Sequence, residues 1–212
     1  MTDIITESVK KLEALLEHSG CADAGVLLDV DPDARNCQFE RGACMSASFG
    51  GRCAEFVTFD PIRARTKISF MFGAPLDTSS VRGAACAILN VATGFLCISR
   101  VLRACPPSSH TACLGQLAEE VADKKIFFCS GGAAPLEERF RDQFVPDPSA
   151  ADLVMINGEG IIDIGTGNLV ENNKATKRIL CIGPSTAGIA RLNDVEHWCP
   201  FGRTCSDTNN LE

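Results

Sequence analysis

The sequence has no C-x-x-C pair, no run of five or more Lys and Arg, and no basic region leading into an apolar stretch at its start. The missing cysteine pairs exclude a closed structural metal site made of local sequence, since the gaps between neighbouring cysteines match no zinc-ribbon or ferredoxin spacing. The missing basic run, with a net charge of −7 and a pI near 5.0, leaves a phosphate backbone or an anionic membrane no electrostatic footprint. Neither is an expected partner. The missing export signal predicts a cytoplasmic protein, in which the twelve cysteines stay reduced, as small buried hydrophobes or as ligands. No Ser-His-Asp or Cys-His arrangement can be assembled from spacing. The one dinucleotide-like motif, Gly165-Thr166-Gly167, has Val170 in place of its third glycine and follows the second strand of its lobe instead of the first. NAD or FAD is therefore not expected, and that motif reads as a helix start.

What is present is a globular composition, 45% apolar and 22% charged over 212 residues, long enough for one large domain or two small ones. Ile5, Val9, Leu12 and Leu16 recur at helical spacing after Thr2 or Asp3, and Gly20 ends that helix. Val26 to Val30 reads as a strand, and the segment from Asn36 to Arg52 as strand and turn. Glu55 to Phe59 and Lys67 to Phe72 read as an antiparallel pair joined through Asp60-Pro61. The uncharged stretch Gly83 to Ser99 falls short of the ~20 residues of a membrane span. It reads as part of a long buried helix near 78–102. After Pro106-Pro107 come a helix to about Asp123, a strand Lys125 to Cys129, a helix Leu136 to Phe144, a strand Leu153 to Asn157, a helix around 163–172 and a strand Arg178 to Ile182. Short apolar strands alternating with helices mean parallel pairing. The expected fold is α/β: an N-terminal α+β lobe over 1–107, a small Rossmann-like parallel-sheet lobe over 108–205, and a tail over 206–212.

Ligands of such sheets sit beyond the carboxyl ends of the strands. There the sequence places Ser130-Gly131-Gly132, then Asn157 and Glu159 in Asn157-Gly158-Glu159-Gly160, then Gly183-Pro184-Ser185-Thr186. Glycine allows close backbone approach, and the Ser185 and Thr186 hydroxyls are expected to face a ligand while the loop adds little to the core. A helix cap would use the same hydroxyls. His197 and Cys199, two apart, face the same way in an extended segment and can both ligate zinc, copper or nickel. The other reading is a packed Trp198 beside a structural cysteine.

Ala84 to Thr93, Lys124 to Cys129 with Gly131-Gly132 and Pro135-Leu136, and above all Asp152 to Thr186 with its strand-then-Gly-Pro-Ser-Thr element resemble a known family. This is the heavy-metal-chelation domain family of unknown function, in which an enolase N-terminal-like lobe packs on a Rossmann-like lobe. The likeness covers about residues 54–202, and Ala187-Gly188 departs from the family's usual Pro and apolar continuation. It implies a cleft between the lobes that holds a metal or metal chelate, with Asn90 of the central helix, Gly165 and Thr166 at the site. The expected function is thus binding or processing of a transition metal ion, or of a metal-chelating small molecule. The alternative is an enzyme using a phosphate-bearing or nucleoside cofactor at the strand ends, with Glu159 or Asp163 as its carboxylate. A third is a homo-oligomeric scaffold using the uncharged helix as an interface.

Overall fold

The computed structural model describes residues 3–130 and 133–204; Gly131 and Gly132 of the expected ligand edge, and the tail 206–212, lie outside the described residues. Helix α1 (Ile4–Leu16) starts where the Asp3 carboxylate accepts the Thr6 N–H. Its apolar positions Ile5, Val9, Leu12 and Leu16 are all buried, each contributing about 1.5–3 kcal/mol of transfer free energy. Past its end, His18 and Gly20 take left-handed conformations and turn the chain back.

Four strands follow: β1 (Gly25–Asp31), β2 (Ala43–Phe49), β3 (Arg52–Thr58) and β4 (Ala64–Lys67), in the sheet order β3-β2-β1-β4, with every pair antiparallel. This corrects the expected pairing of Glu55–Phe59 with Lys67–Phe72, because β3 and β4 lie at opposite edges. Both edges of β3 are taken: Gly50 and Gly51, both with positive φ, close a two-residue hairpin that pairs one edge with β2, and on the other the amides of Glu55 and Val57 donate to the Leu102 carbonyl and the Ser185 hydroxyl. Residues Ile68–Met71 are a 3₁₀ turn instead of a strand.

Helix α2 (Ser79–Phe95) begins where the Thr78 hydroxyl accepts the Val81 N–H. It stops at Phe95, earlier than the expected 102, because Cys97 is left-handed and the amides of Ile98 and Ser99 both turn back to the Thr93 carbonyl. Among the described residues no helix is long and apolar enough to cross a membrane. The parallel sheet follows α3 (His110–Glu120). Its strands β5 (Ile126–Cys129), β6 (Leu153–Ile156), β7 (Arg178–Ile182) and β8 (Glu196–Trp198) lie in sequential order, with α4 (Ala134–Arg139), α5 (Gly158–Ile162), α6 (Thr166–Asn173) and α7 (Ala187–Leu192) between them. The sequence reading missed β8, which is short and polar, and read the short α5 as a turn, while its helix around 163–172 is α6. The protein is thus a mixed α/β fold with an antiparallel sheet and a separate parallel sheet, as expected.

Alternation along the parallel strands covers both faces. Val154, Ile156, Ile179 and Cys181 enter one core together with α1, α2, α7 and the antiparallel sheet; Leu153, Met155, Leu180 and Ile182 enter a second with α3, α4 and Phe39. The first core therefore draws on both halves of the chain. Arg82, nearly fully buried, binds it further by donating to both Asp3 carboxylate oxygens and to the Ile162 carbonyl. In the middle of α1, the Ser8 hydroxyl accepts from Asn193, and the Lys11 ammonium donates to the Leu192 carbonyl.

Candidate ligand site at the carboxyl edge of the parallel sheet

The carboxyl ends of β6 and β7 are met by a turn of the first half of the chain, Cys37–Glu40, closed by the Glu40 N–H donating to the Cys37 carbonyl at 3.0 Å. Phe39 is buried, and its carbonyl accepts from the Asn157 amide at 3.2 Å. The Asn157 oxygen in turn caps α5 by accepting the Gly160 N–H. Glu40 reaches further, with Oε1 accepting the Ser185 N–H at 3.1 Å. Gly183 makes this approach possible: its φ is +81°, and a Cβ there would stand 2.7 Å from Glu40 Oε1. Nearby, Gln38 donates to the His110 carbonyl.

The loop Gly183–Gly188 is part of the core, which corrects the expectation that it contributes little there. Pro184, Ser185 and Thr186 are buried. The Ser185 hydroxyl accepts the Val57 N–H at 2.9 Å, and the Thr186 hydroxyl bonds back to the carbonyls of Ile182 and Gly183. The cause lies in β3, an edge strand: its outward amides are buried and need partners, which Ser185 Oγ supplies for Val57 and the Leu102 carbonyl for Glu55. Asn90 on α2 completes the clamp, donating to the Ser185 carbonyl at 2.9 Å and accepting the Gly188 N–H at 2.8 Å. Its side chain joins α2 to the loop.

The remaining expected residues are dispersed around this edge. Gly165 precedes α6, and the Thr166 hydroxyl, buried, donates to the Gly160 carbonyl beside the Cys129 sulfur. Ser130 is exposed in a left-handed conformation. Burial pushes the Glu159 carboxyl up from its ordinary value, against the Phe59 amide that lowers it, and Glu159 Oε1 is enclosed without a partner. His197 Nε2 lies 2.9 Å from the Gly183 carbonyl, and burial lowers its pKa, so the neutral ring with Nε2–H donating fits the site. Cys199 follows the end of β8. Among the described residues no group of three or more His, Cys, Asp or Glu side chains is arranged to hold a metal ion, so His197 and Cys199 do not form a metal site by themselves.

Glu40 is the residue that sequence reasoning missed. Its Oε2 is enclosed and has no hydrogen-bond partner. Burial pushes its carboxyl up to about 8; the Ser185 contact opposes this, and the charge of Glu55 adds to it. Around it stand the buried Cys37 and Cys105 and the partly buried Cys199: burial and then the Glu40 charge raise the pKa of Cys37 and of Cys199, and Cys105 adds to both. Cys113 borders Cys105 and Cys199. The eleven described cysteines are all free thiols. One further enclosed nitrogen in this region, His110 Nε2, also lacks a hydrogen-bond partner, whereas the Trp198 indole is directed at the Cys113 sulfur.

No family model matches the chain, and no curated protein sequence matches it. Among solved structures, it is similar to a protein of unknown function from the DUF364 family of Pyrococcus horikoshii, with 12% identity, a TM-score of 0.49, and coverage of 86% of this chain and 79% of that one. It is also similar to a DUF364-family protein of unknown function from Desulfitobacterium hafniense, with 16% identity, a TM-score of 0.46, and coverage of 87% and 82%.

Proposed function

We propose that the protein binds a metal ion, or a small molecule that chelates one, at the carboxyl edge of the parallel sheet beside Glu40. The observation that supports this is Glu40 Oε2, an enclosed oxygen without a partner beside a carboxyl oxygen that already takes the Ser185 N–H. Leaving such a group unpaired costs about 1–3 kcal/mol, which a cation or a ligand's donor seated there would offset. The neighbouring thiols suit a soft or borderline metal. A tetrahedral cage of protein side chains does not fit, since no three ligands are gathered among the described residues. A chelate that brings its own donors fits, as does an ion content with two ligands. The phosphate or nucleoside alternative has less support: the Glu40 carboxyl already takes the Ser185 N–H that an anion would use, and Glu159 adds a second acid at the rim.

The test uses protein purified without air. Its metal content is measured by mass spectrometry, and melting temperatures are recorded with a panel of metal ions and of their chelates, for the native chain and for Glu40→Gln. Stabilisation of the native chain that is lost in Glu40→Gln supports the reading. Equal stabilisation of both, or none from any ion or chelate, removes it.

A further inference from the structure

Three enclosed side-chain oxygens without a hydrogen-bond partner, Asn36 Oδ1, Glu40 Oε2 and Glu159 Oε1, belong to one continuous patch. The contacts that join them run from residue to residue. Asn36 Nδ2 donates to the Gly42 carbonyl at 2.8 Å, which fixes the orientation of the amide and leaves its oxygen as the open end. Gly42 lies on the end of β3: a Cβ there would stand 2.5 Å from the Thr58 carbonyl oxygen and 3.1 Å from the Phe59 nitrogen. The Phe59 N–H donates to the Glu159 carboxyl. The preceding Gly158 packs on Ser185, whose Cβ would stand 2.9 Å from a Cβ on that glycine, and the Ser185 N–H goes to Glu40 Oε1 at 3.1 Å. Glu40, only 7% exposed, leads back through Arg41 to Gly42. Donors are scarce here. The amides of Val57, Asp60 and Gly160 go to Ser185 Oγ, Thr58 Oγ1 and Asn157 Oδ1, and those of Phe59 and Ser185 to the two acids. Arg41 acts on Glu159 through its charge but makes no hydrogen bond to the enclosed Oε1. A carboxylate or phosphate placed here would face oxygens where it needs N–H groups, whereas a group bearing N–H finds acceptors.

We infer that this patch takes its ligand by N–H groups, and that the chelating small molecule is an oligoamine, a chain of amine nitrogens, instead of a polycarboxylate or a phosphate. This rests on the metal reading above and narrows it. A bare ion asks for several ligands around one point, and among the described residues no group of three acidic, His or Cys side chains is gathered. A chain reaches its acceptors one after another. Nitrogen donors also hold zinc, copper or nickel, so the same molecule brings the ligands that the protein does not gather. Its N–H groups form charge-assisted hydrogen bonds with the two acids, which are stronger than neutral ones. A nitrogen not bound to the metal arrives as ammonium at neutral pH, and where the Glu40 carboxyl holds a proton, that proton leaves to solvent as the pair forms.

Calorimetric titration of the full chain, purified without air, tests the inference with the zinc complex of triethylenetetramine and with the zinc complexes of citrate and nitrilotriacetate. Salt at about 0.15 M screens non-specific attraction to the negatively charged protein. The amine complex should bind at a single site and the two carboxylate complexes should not bind. Glu159→Gln should weaken the amine complex roughly 10- to 100-fold, the worth of a hydrogen bond to a charged group, while the glutamine oxygen still accepts the Phe59 N–H. Glu13→Gln, at an exposed acid of α1, should change nothing. Ligand-free melting curves establish that the variants are folded; should Glu159→Gln fail to fold, the comparison of the three complexes on the native chain decides. Equal binding of amine and carboxylate complexes, or unchanged binding of the amine complex by Glu159→Gln, overturns the inference. Should the native chain refuse the amine complex while bare ions or carboxylate complexes act through Glu40, this inference falls and the broader metal reading stands. If no ion or chelate acts, both fall.

Discussion

Replacing Glu40 by Gln should make stability less dependent on pH, and the magnitude follows from the environment of the carboxyl. In the unfolded chain Glu40 titrates near 4.5; in the folded protein burial moves it to about 8. The folded state therefore holds a proton that the unfolded state gives up, so stability falls as pH rises from about 4.5 to about 8 and levels off beyond. At about 1.4 kcal/mol per pH unit, the loss is about 1 kcal/mol at pH 5, about 3 at pH 7 and about 5 above pH 9. The glutamine is nearly isosteric, and its oxygen can still accept the Ser185 N–H, but it does not titrate. Its unpaired amide nitrogen shifts the variant's stability by an amount independent of pH, so the informative quantity is the change in the difference. Urea unfolding of both proteins across pH 5 to 9 should show the variant gaining about 4 kcal/mol on the native chain. Parallel curves would refute the reasoning, because they would mean that Glu40 titrates alike in both states and is not enclosed.

Ser185→Ala should destabilise the protein by about 1–3 kcal/mol, since it leaves the Val57 N–H buried and unpaired; a melting temperature equal to that of the native chain would contradict this. Gly188→Ala should cost about 1–3 kcal/mol or more in chemical denaturation, because its Cβ would meet Asn90 Oδ1 at 2.7 Å and Thr93 Oγ1 at 2.8 Å; an unchanged denaturation midpoint would show that α2 and α7 part easily.

Elements with a strong period were legible from residues alone. The helical spacing of Ile5, Val9, Leu12 and Leu16 placed α1, and the apolar run Arg178 to Ile182 placed β7 to the residue. What escaped was set by partners distant in the chain. Strand β8 is three residues long and gains its identity from pairing with β7, which no local pattern announces. The strand-end residues Asn157, Ser185 and Thr186 were located correctly along the chain, yet their hydroxyl and amide groups are used by neighbours over a hundred residues away as well as by their own turn. Whether a polar strand end faces outward or into another part of the protein depends on what packs there, and that is tertiary information. Glu40 shows the same limit most sharply, as a single acid in an irregular segment between Phe39 and Arg41 that becomes conspicuous only once Gly183 and Ser185 stand beside it.

The docking of α1 onto α7 has a consequence for folding. Ser8 and Lys11 find their partners at Asn193 and Leu192, which lie 185 and 181 residues further along the chain. Helix α2 also packs on α1 from much nearer in sequence, so the apolar stripe of Ile5, Val9, Leu12 and Leu16 can find one neighbour early and the other only after a long loop has closed. Contacts of that separation are slow to form, so the seating of α1 against α7 is expected to be a late step of folding.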